Sequence, residues 1–118
     1  MRPPQAPLRG QVFWVRLPGH PRDAKVRPAL VVSIDVRNRL ANDVLVVPLS
    51  TTLRPAPTHV WIPAGEGGLP RASMAKCEQI TTLDKSFLAR GPLGGTIRPA
   101  LLREVEKAVL RSIGVPVL

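Results

Sequence analysis

Short apolar runs separated by Pro, Gly, Asn and Asp predict a series of β-strands in the first four fifths of the chain. The stretch at residues 27–35 is apolar on both alternating sets of positions, which predicts a central strand covered on both faces. The other runs predict ordinary short strands, and the last of them, which contains Pro92, predicts an edge strand. The predicted strands are residues 10–16, 27–35, 44–49, 58–62, 73–80 and 87–93.

The C-terminal segment changes to a helical period. After Gly94-Gly95, apolar residues recur every fourth position at Ile97, Leu101, Val105, Val109 and Ile113. Thr96 is the predicted N-cap, Pro99 suits the first turn, and Gly114 is the predicted stop. Five or six strands followed by one helix predict a mainly β fold, a small and partly open barrel with the helix packed on it.

The length of 118 residues and the hydrophobic share of 44% fit one domain with its own core. Residues 1–9 hold several prolines and predict a flexible N-terminal arm before a single domain at 10–118. The single cysteine, Cys77, excludes an internal disulfide and fits a reducing compartment. No apolar run is long enough for a membrane span, and the N-terminus lacks an export pattern, so we expect a cytoplasmic protein without membrane contact.

The charge points to a polyanionic partner. Seventeen Lys and Arg residues against eight Asp and Glu residues give a formal charge of +9. Such a surface attracts nucleic acid and accelerates encounter with it. An acidic protein would be attracted equally, and the charge does not separate the two.

If the polyanion is RNA, its cleavage without a metal would require a proton acceptor, a proton donor and a positively charged group to stabilise the negatively charged phosphorane. His20 and His59 have no second ligand at metal-binding spacing, and no phosphate-binding glycine loop is present, so we expect neither a metal nor a cofactor. Arg27 begins the predicted buried strand, where its guanidinium fork suits phosphate oxygens. A salt bridge with Asp23 or Asp35 is the alternative.

Other candidates lie near the predicted strand ends. Strand alternation over 73–80 places Lys76 beside Glu78 on one face, either as site residues or as a solvated ion pair. Side chains in the loops carry further candidates: His20 could transfer a proton, and the hydroxyls of Ser50 and Thr51 could bind phosphate or simply form a turn. The two tryptophans, Trp14 and Trp61, could stack on bases or fill the core.

The order and spacing of several segments are more specific than any of these residues alone. The segments are GQVFWV, GHPRDAKVRPALVVS, NRL, VVPLST, THVWI, KCEQITTLDK and the closing helix, and together they resemble the MazF/PemK/Kid toxins over residues 10 to about 113. The resemblance implies an SH3-like barrel, a homodimer, an acidic MazE-like antitoxin, and metal-independent cleavage of single-stranded RNA that leaves a 2′,3′-cyclic phosphate and a 5′-hydroxyl.

The resemblance also implies roles for single residues. Arg27 matches the arginine that stabilises the transition state, and Ser50 stands where the family usually has threonine, so Thr51 could substitute. Glu78, Lys76 and His20 match an acidic position, a basic position and a catalytic loop histidine. The expected catalytic set is Arg27, Ser50, Thr51, Glu78 and His20, and the expected RNA-binding set is Arg22, Lys25, Asn38, Arg39, Arg54, Lys76 and Gln79.

Two positions differ from the family pattern. Pro21 lengthens the spacing from His20 to Arg27, so that His20 could point elsewhere. Thr81 stands where many members have arginine, so that an RNA contact is expected either to be lost or to move to Arg71, Lys85 or Arg90. Two other functions are alternatives: a toxin of the same fold that resembles CcdB and binds DNA gyrase, and a nucleic-acid-binding barrel without activity.

Overall fold

The computed structural model describes residues 5–16 and 26–118, and its regular elements are mostly strands. The strands are β1 (Val12–Val15), β2 (Arg27–Val31), β3 (Asp43–Ser50), β4 (His59–Ile62), β5 (Ser73–Lys76), β6 (Thr81–Asp84) and β7 (Leu88–Arg90). Two α-helices, α1 (Asp35–Leu40) and α2 (Pro99–Ser112), and 3₁₀ turns at Glu66–Gly68, Cys77–Gln79 and Lys85–Phe87 complete the described part. The predicted mainly β fold with a C-terminal helix is confirmed.

All seven strands belong to one antiparallel sheet, in the order β4-β5-β3-β2-β1-β7, with β6 also paired to β3. β3 is the longest strand and organises the sheet. One of its edges pairs with β2, and its other edge is shared end to end by β5 and β6, as the pairs Leu49 with Ala75 and Val46 with Thr81 show. From Leu49 back to Val46, β3 covers three residue steps, whereas its partner segment covers six steps from Ala75 to Thr81. The three extra residues match the length of the Cys77–Gln79 turn. That turn therefore bulges out of the sheet.

The sheet is covered on both faces near its centre. One buried cluster contains Leu30 and Val47 and extends to Val105 and Ala108 of α2. The other contains Ala29, Val31, Val46 and their neighbours in β1, β3 and β6. Ala29, Leu30 and Val31 each have at most 1% of their surface exposed, so the prediction that this strand is covered on both faces is confirmed.

Helix α2 begins and ends close to its predicted limits. Pro99 occupies the first turn as predicted, and Gly114 follows the last turn with a φ of 85° that few other residues adopt. The predicted N-cap is wrong, because the cap residue is Arg98. The backbone before it is still paired with another segment, since the Ile97 N–H donates to the Gly10 carbonyl. At the other end of the apolar series, Ile113 is 69% exposed.

Two local predictions differ from the structure. The predicted strand at 73–80 ends at Lys76, where the 3₁₀ turn begins, and β6 follows as a strand that the sequence analysis did not predict. The predicted strand at 27–35 ends at Val31, and the short helix α1 begins at Asp35, the last residue of that predicted strand, and continues into the segment before the third predicted strand. Arg9, the last residue of the predicted arm, pairs with Glu106 of α2 and donates its backbone N–H to Asp35 of α1. No helix among the described residues is long and apolar enough to cross a membrane.

Candidate functional site

Several of the predicted residues lie at one end of the sheet, where β2 begins and β3 ends. The pairing of Ala29 with Pro48 and of Leu30 with Val47, continued by two residues, brings Arg27 level with Ser50. Ser50 pairs in turn with Met74 of β5. Arg27 is exposed and Ser50 is half-buried. The arginine and the hydroxyl that the sequence analysis singled out therefore share one end of two neighbouring strands.

The two hydroxyl residues at the end of β3 have different surroundings. Ser50 Oγ accepts a hydrogen bond from the Thr52 N–H at 3.1 Å, which is the turn-forming role considered for it. Thr51 is exposed and lines a cleft of about 210 Å³. Of the two, Thr51 is the one placed to meet a bound molecule in that cleft.

The cleft combines an aromatic face with hydroxyl and guanidinium groups. Its lining residues are Trp14, Pro28, Thr51, Leu69, Pro70, Arg71 and Ser73. The guanidinium carbon of Arg90 lies 5.6 Å from the centre of the Trp14 ring, a cation–π distance. An aromatic face beside arginines suits an unpaired base and its phosphate. Arg71 and Arg90 are thus both close to Trp14. Both were predicted as possible RNA contacts in place of the arginine that many family members have where this chain has Thr81.

A larger groove of about 400 Å³ lies beneath α2, and its lining is mainly apolar. The charged residues that line it, Arg9 and Glu106, form an ion pair with each other. This groove lacks the hydroxyl and aromatic groups of the Thr51 cleft. The smaller cleft is therefore the better candidate site for RNA chemistry.

Glu78 projects from the Cys77–Gln79 turn rather than from a strand, and it has two side-chain partners. Thr58 Oγ1 donates to Glu78 Oε1 at 2.9 Å, and His59 Nε2 lies 3.2 Å from Glu78 Oε2. Partial desolvation raises the pKa of this carboxyl, but hydrogen bonds from its own backbone N–H, from His59 and from Thr58 outweigh it. The pKa of Glu78 is consequently below its ordinary value of 4.5.

The predicted alternation of Lys76 and Glu78 on one strand face is wrong. Lys76 is the last residue of β5, and Glu78 belongs to the turn that bulges from the sheet. Lys76 pairs across the sheet with His59 instead. The ion partner of Glu78 in the structure is His59, at 3.2 Å.

Asn38 and Arg39 lie away from this end of the sheet. They belong to α1, which follows the far end of β2 and contacts the start of β3 through the ion pair of Arg37 with Asp43. At about 3.3 Å per residue, the start of β3 is roughly 20 Å from Ser50. Asn38 is fully buried, with 0% of its surface exposed, so its side chain cannot reach a base. Arg39 is exposed.

The remaining predicted residues fall into two groups. His20, Arg22 and Lys25, together with Asp23, lie outside the described residues. Arg54 and Gln79 are both exposed, Arg54 on the loop after β3 and Gln79 on the turn beside Glu78. Both positions remain open to solvent and to a ligand.

Sequence reasoning gave no role to His59. Nothing local distinguishes it, because its partners are Glu78, 19 residues later, and a backbone carbonyl five residues earlier. Its sequence position gave only one indication of a role, namely that it begins a strand directly after a loop that contains prolines. The pairing of β4 with β5, which sets these contacts, is not encoded in any short motif.

Comparison with known proteins settles the family. Residues 8–113 match the model of the PemK-like, MazF-like toxins of type II toxin–antitoxin systems. This chain belongs to that toxin family. Endoribonuclease MazF4 of Mycobacterium tuberculosis is 36% identical over 111 residues, which cover 94% of this chain and 96% of that protein.

Solved structures of the family agree with the fold. A mycobacterial endoribonuclease in complex with its cognate antitoxin has a TM-score of 0.79 at 33% identity, over 96% of this chain and 100% of that one. The MazF of a MazE–MazF complex from Deinococcus radiodurans has a TM-score of 0.75 at 22% identity, over 94% and 98% of the two chains. At that identity, the second likeness bears on the fold alone.

Proposed function

We propose that this MazF-like toxin is an endoribonuclease that cleaves single-stranded RNA at short sequences, without a metal, at the end of the sheet where Arg27, Ser50 and Thr51 lie. The observation that carries the proposal is the shared position of Arg27 and the β3 hydroxyls in a chain 36% identical to a MazF endoribonuclease. In the reaction, the substrate's own 2′-hydroxyl loses a proton and attacks the adjacent phosphorus. The bond to the 5′-oxygen then breaks, and that oxygen takes up a proton, which leaves a cyclic phosphate and a 5′-hydroxyl.

Arg27 would stabilise the charge that develops on the phosphorane oxygens, because a guanidinium offers two parallel donors to neighbouring phosphate oxygens. Thr51 would donate its hydroxyl to the same phosphate from the cleft. Trp14 would stack on a neighbouring base. Arg54, Lys76, Gln79, Arg71 and Arg90 would contact the RNA backbone or base edges around the site.

Proton transfer is assigned to Glu78 and to His20. Glu78 is ionised at neutral pH, so it can accept a proton, although a lowered pKa makes it a weak base. Rate profiles against pH test both assignments: Glu78→Gln and His20→Ala should each remove one limb of a bell-shaped profile if both groups titrate in catalysis. A profile that keeps both limbs in a variant removes that residue from proton transfer.

The test of the activity is direct. Purified protein is incubated with a long single-stranded RNA in EDTA, and the fragment ends are mapped. Discrete fragments with 5′-hydroxyl ends support the proposal, and their sequences give the recognised bases. Intact RNA, or fragments only when a divalent metal is added, refutes it.

The partners proposed from the family are a second copy of the chain and an acidic antitoxin in the same cytoplasm. The charge of +9 would attract an acidic, partly disordered segment to the basic surface that receives RNA. Inhibition should then be competitive with RNA and weaken as salt rises. Co-expression with the neighbouring reading frame, purification through a tag on one partner and titration of cleavage test this, and a partner that binds without slowing cleavage at any RNA concentration refutes it.

A further inference from the structure

The His59 side chain is held between two acceptors. Its Nδ1 lies 2.7 Å from the backbone carbonyl oxygen of Arg54, and its Nε2 lies 3.2 Å from Glu78 Oε2. Only 9% of the side chain is exposed. The ring therefore connects the loop after β3 to the turn that follows β5.

The hydrogen-bond chemistry of these contacts requires two donors. A carbonyl oxygen can only accept, so Nδ1 must carry a proton. The Glu78 carboxyl already accepts from the Thr58 hydroxyl, and as a carboxylate it can only accept, so a hydrogen bond from the ring to Oε2 needs a second proton, on Nε2. A neutral imidazole has a single N–H and would leave a lone pair facing one of the two oxygens. An imidazolium would donate to both oxygens at once.

The loop at residues 51–58 is attached to the turn after β5 at its far end, where the Thr58 carbonyl accepts from the Cys77 N–H at 3.0 Å and the Thr58 hydroxyl donates to Glu78. Residues 51–55 are exposed, and the bonds described for their backbone are local, such as that from the Arg54 N–H to the Thr52 carbonyl at 3.0 Å. The bond from His59 to the Arg54 carbonyl connects the middle of this loop to a buried point. Thr51, which lines the cleft, lies three residues before Arg54 on the same loop.

We propose that His59 is a positioning residue that acts as a cation, held by Glu78, to fix the loop at residues 51–58 in the shape that presents Thr51 and Arg54 to RNA. This rests on the proposed function. The charged groups beside the ring are Glu78 on the 3₁₀ turn and Lys76, its cross-strand partner on β5, and the loop contributes the Arg54 carbonyl. Glu78 supplies the negative charge that the imidazolium needs next to a lysine.

The protonation state is tested without any activity. Nitrogen-15 NMR of the imidazole groups at neutral pH should show a His59 ring with both nitrogens protonated, assigned by the signal that disappears in His59→Gln. In Glu78→Gln the ring should become neutral at the same pH. A His59 ring that is neutral in the wild-type protein overturns the proposal, whether or not the protein cleaves RNA.

The positioning role is tested by two variants that each keep one donor. His59→Asn places an amide near the Nδ1 position and keeps the bond to the Arg54 carbonyl, whereas His59→Gln places it near Nε2 and keeps the bond to Glu78. We expect kcat to fall about 10- to 100-fold in His59→Gln and clearly less in His59→Asn, because small displacements of positioning groups cost factors of this size.

The controls separate this loss from general instability and from failure of the proposed function. The thermal midpoints of the two variants should lie within a few degrees of each other. If the midpoint of His59→Gln is lower than that of His59→Asn by more than this, the loss of kcat in His59→Gln is assigned to stability and the positioning role is overturned. Glu78→Gln combined with His59→Gln should be no worse than the poorer single variant. Multiplied losses, or equal kcat in all variants, also overturn it. If the wild-type protein cleaves no RNA, the proposed function fails while the NMR result stands.

Discussion

Replacing Asn38 with alanine should destabilise the protein strongly without a specific effect on RNA. Asn38 Nδ2 donates to the Ser33 carbonyl at 3.0 Å, and its Oδ1 accepts from the Ser33 hydroxyl. Ser33 Oγ accepts in turn from the Leu45 N–H at 3.0 Å. This buried network joins the segment after β2 to helix α1 and strand β3.

The magnitude follows from the groups left behind. The variant loses two buried hydrogen bonds, worth about 0.5–1.5 kcal/mol each, and leaves the Ser33 carbonyl without this partner at a cost of about 1–3 kcal/mol. The small cavity adds to this. A total of about 2–6 kcal/mol is a large part of the roughly 5–15 kcal/mol by which a domain is stable.

Urea unfolding followed by circular dichroism measures this change, with RNA affinity measured at a temperature where the variant is folded. The matched control is Arg39→Ala, the exposed neighbour, which should change stability by less than about 0.5 kcal/mol. Arg39→Ala should instead lower the salt dependence of RNA binding if it contacts phosphate. A stable Asn38→Ala variant with weakened RNA binding would refute the buried role and restore the predicted RNA contact.

Three further predictions concern the site and its surroundings. Arg27→Ala should lower kcat by a factor of about 10²–10³ while the protein stays folded. The control is Arg103→Ala, which removes an exposed arginine on α2 and should cleave RNA normally. A folded Arg27→Ala variant with full activity contradicts the role of Arg27 in stabilising the transition state. Burial, and secondly the nearby charge of Glu78, raise the pKa of Cys77 to about 12, so the thiol stays neutral at pH 7. Iodoacetamide should therefore label Cys77 only after the protein unfolds. Labelling of the folded protein as fast as that of a free thiol would contradict this. Because the pKa of Glu78 is lowered by folding, its stabilising contribution is complete above the ordinary value of 4.5 and is lost as pH falls through the folded-state value. The difference in urea midpoint between wild type and Glu78→Gln should therefore narrow as pH falls below 4.5, and a difference that widens there contradicts this sign.

The strands and the closing helix were predictable because their signals are local. The apolar run of β1, the doubly apolar run of β2 and the four-residue repeat of α2 each indicate burial, and burial is what drives these elements. The limits that failed depend on distant contacts. Thr96 does not cap α2, because the Ile97 N–H bonds to the Gly10 carbonyl, 87 residues earlier in the chain.

The candidate site was predictable in part, for the same reason. Arg27, Ser50 and Thr51 were found from their places at strand ends and from the family resemblance. The contact of Glu78 with His59 was not, because a run such as SMAKCEQI reads as a continuous strand when alternation alone is considered. Only the pairing of β3 with both β5 and β6 requires three residues to leave the sheet between them.

That three-residue offset connects the core of the sheet to the chemistry at its end. β5 and β6 must both keep their buried side chains, Ala75 and Leu83, on the correct faces along one edge of β3. Because a slip of one residue would turn every side chain of a strand to the opposite face, the length of the turn between them is fixed by the core. Glu78 is in the middle of that turn, and its position decides where His59 and the Arg54 carbonyl can meet. The positioning of the loop that carries Thr51, as proposed for His59, therefore depends on strand register in the core as well as on the sequence of the loop itself.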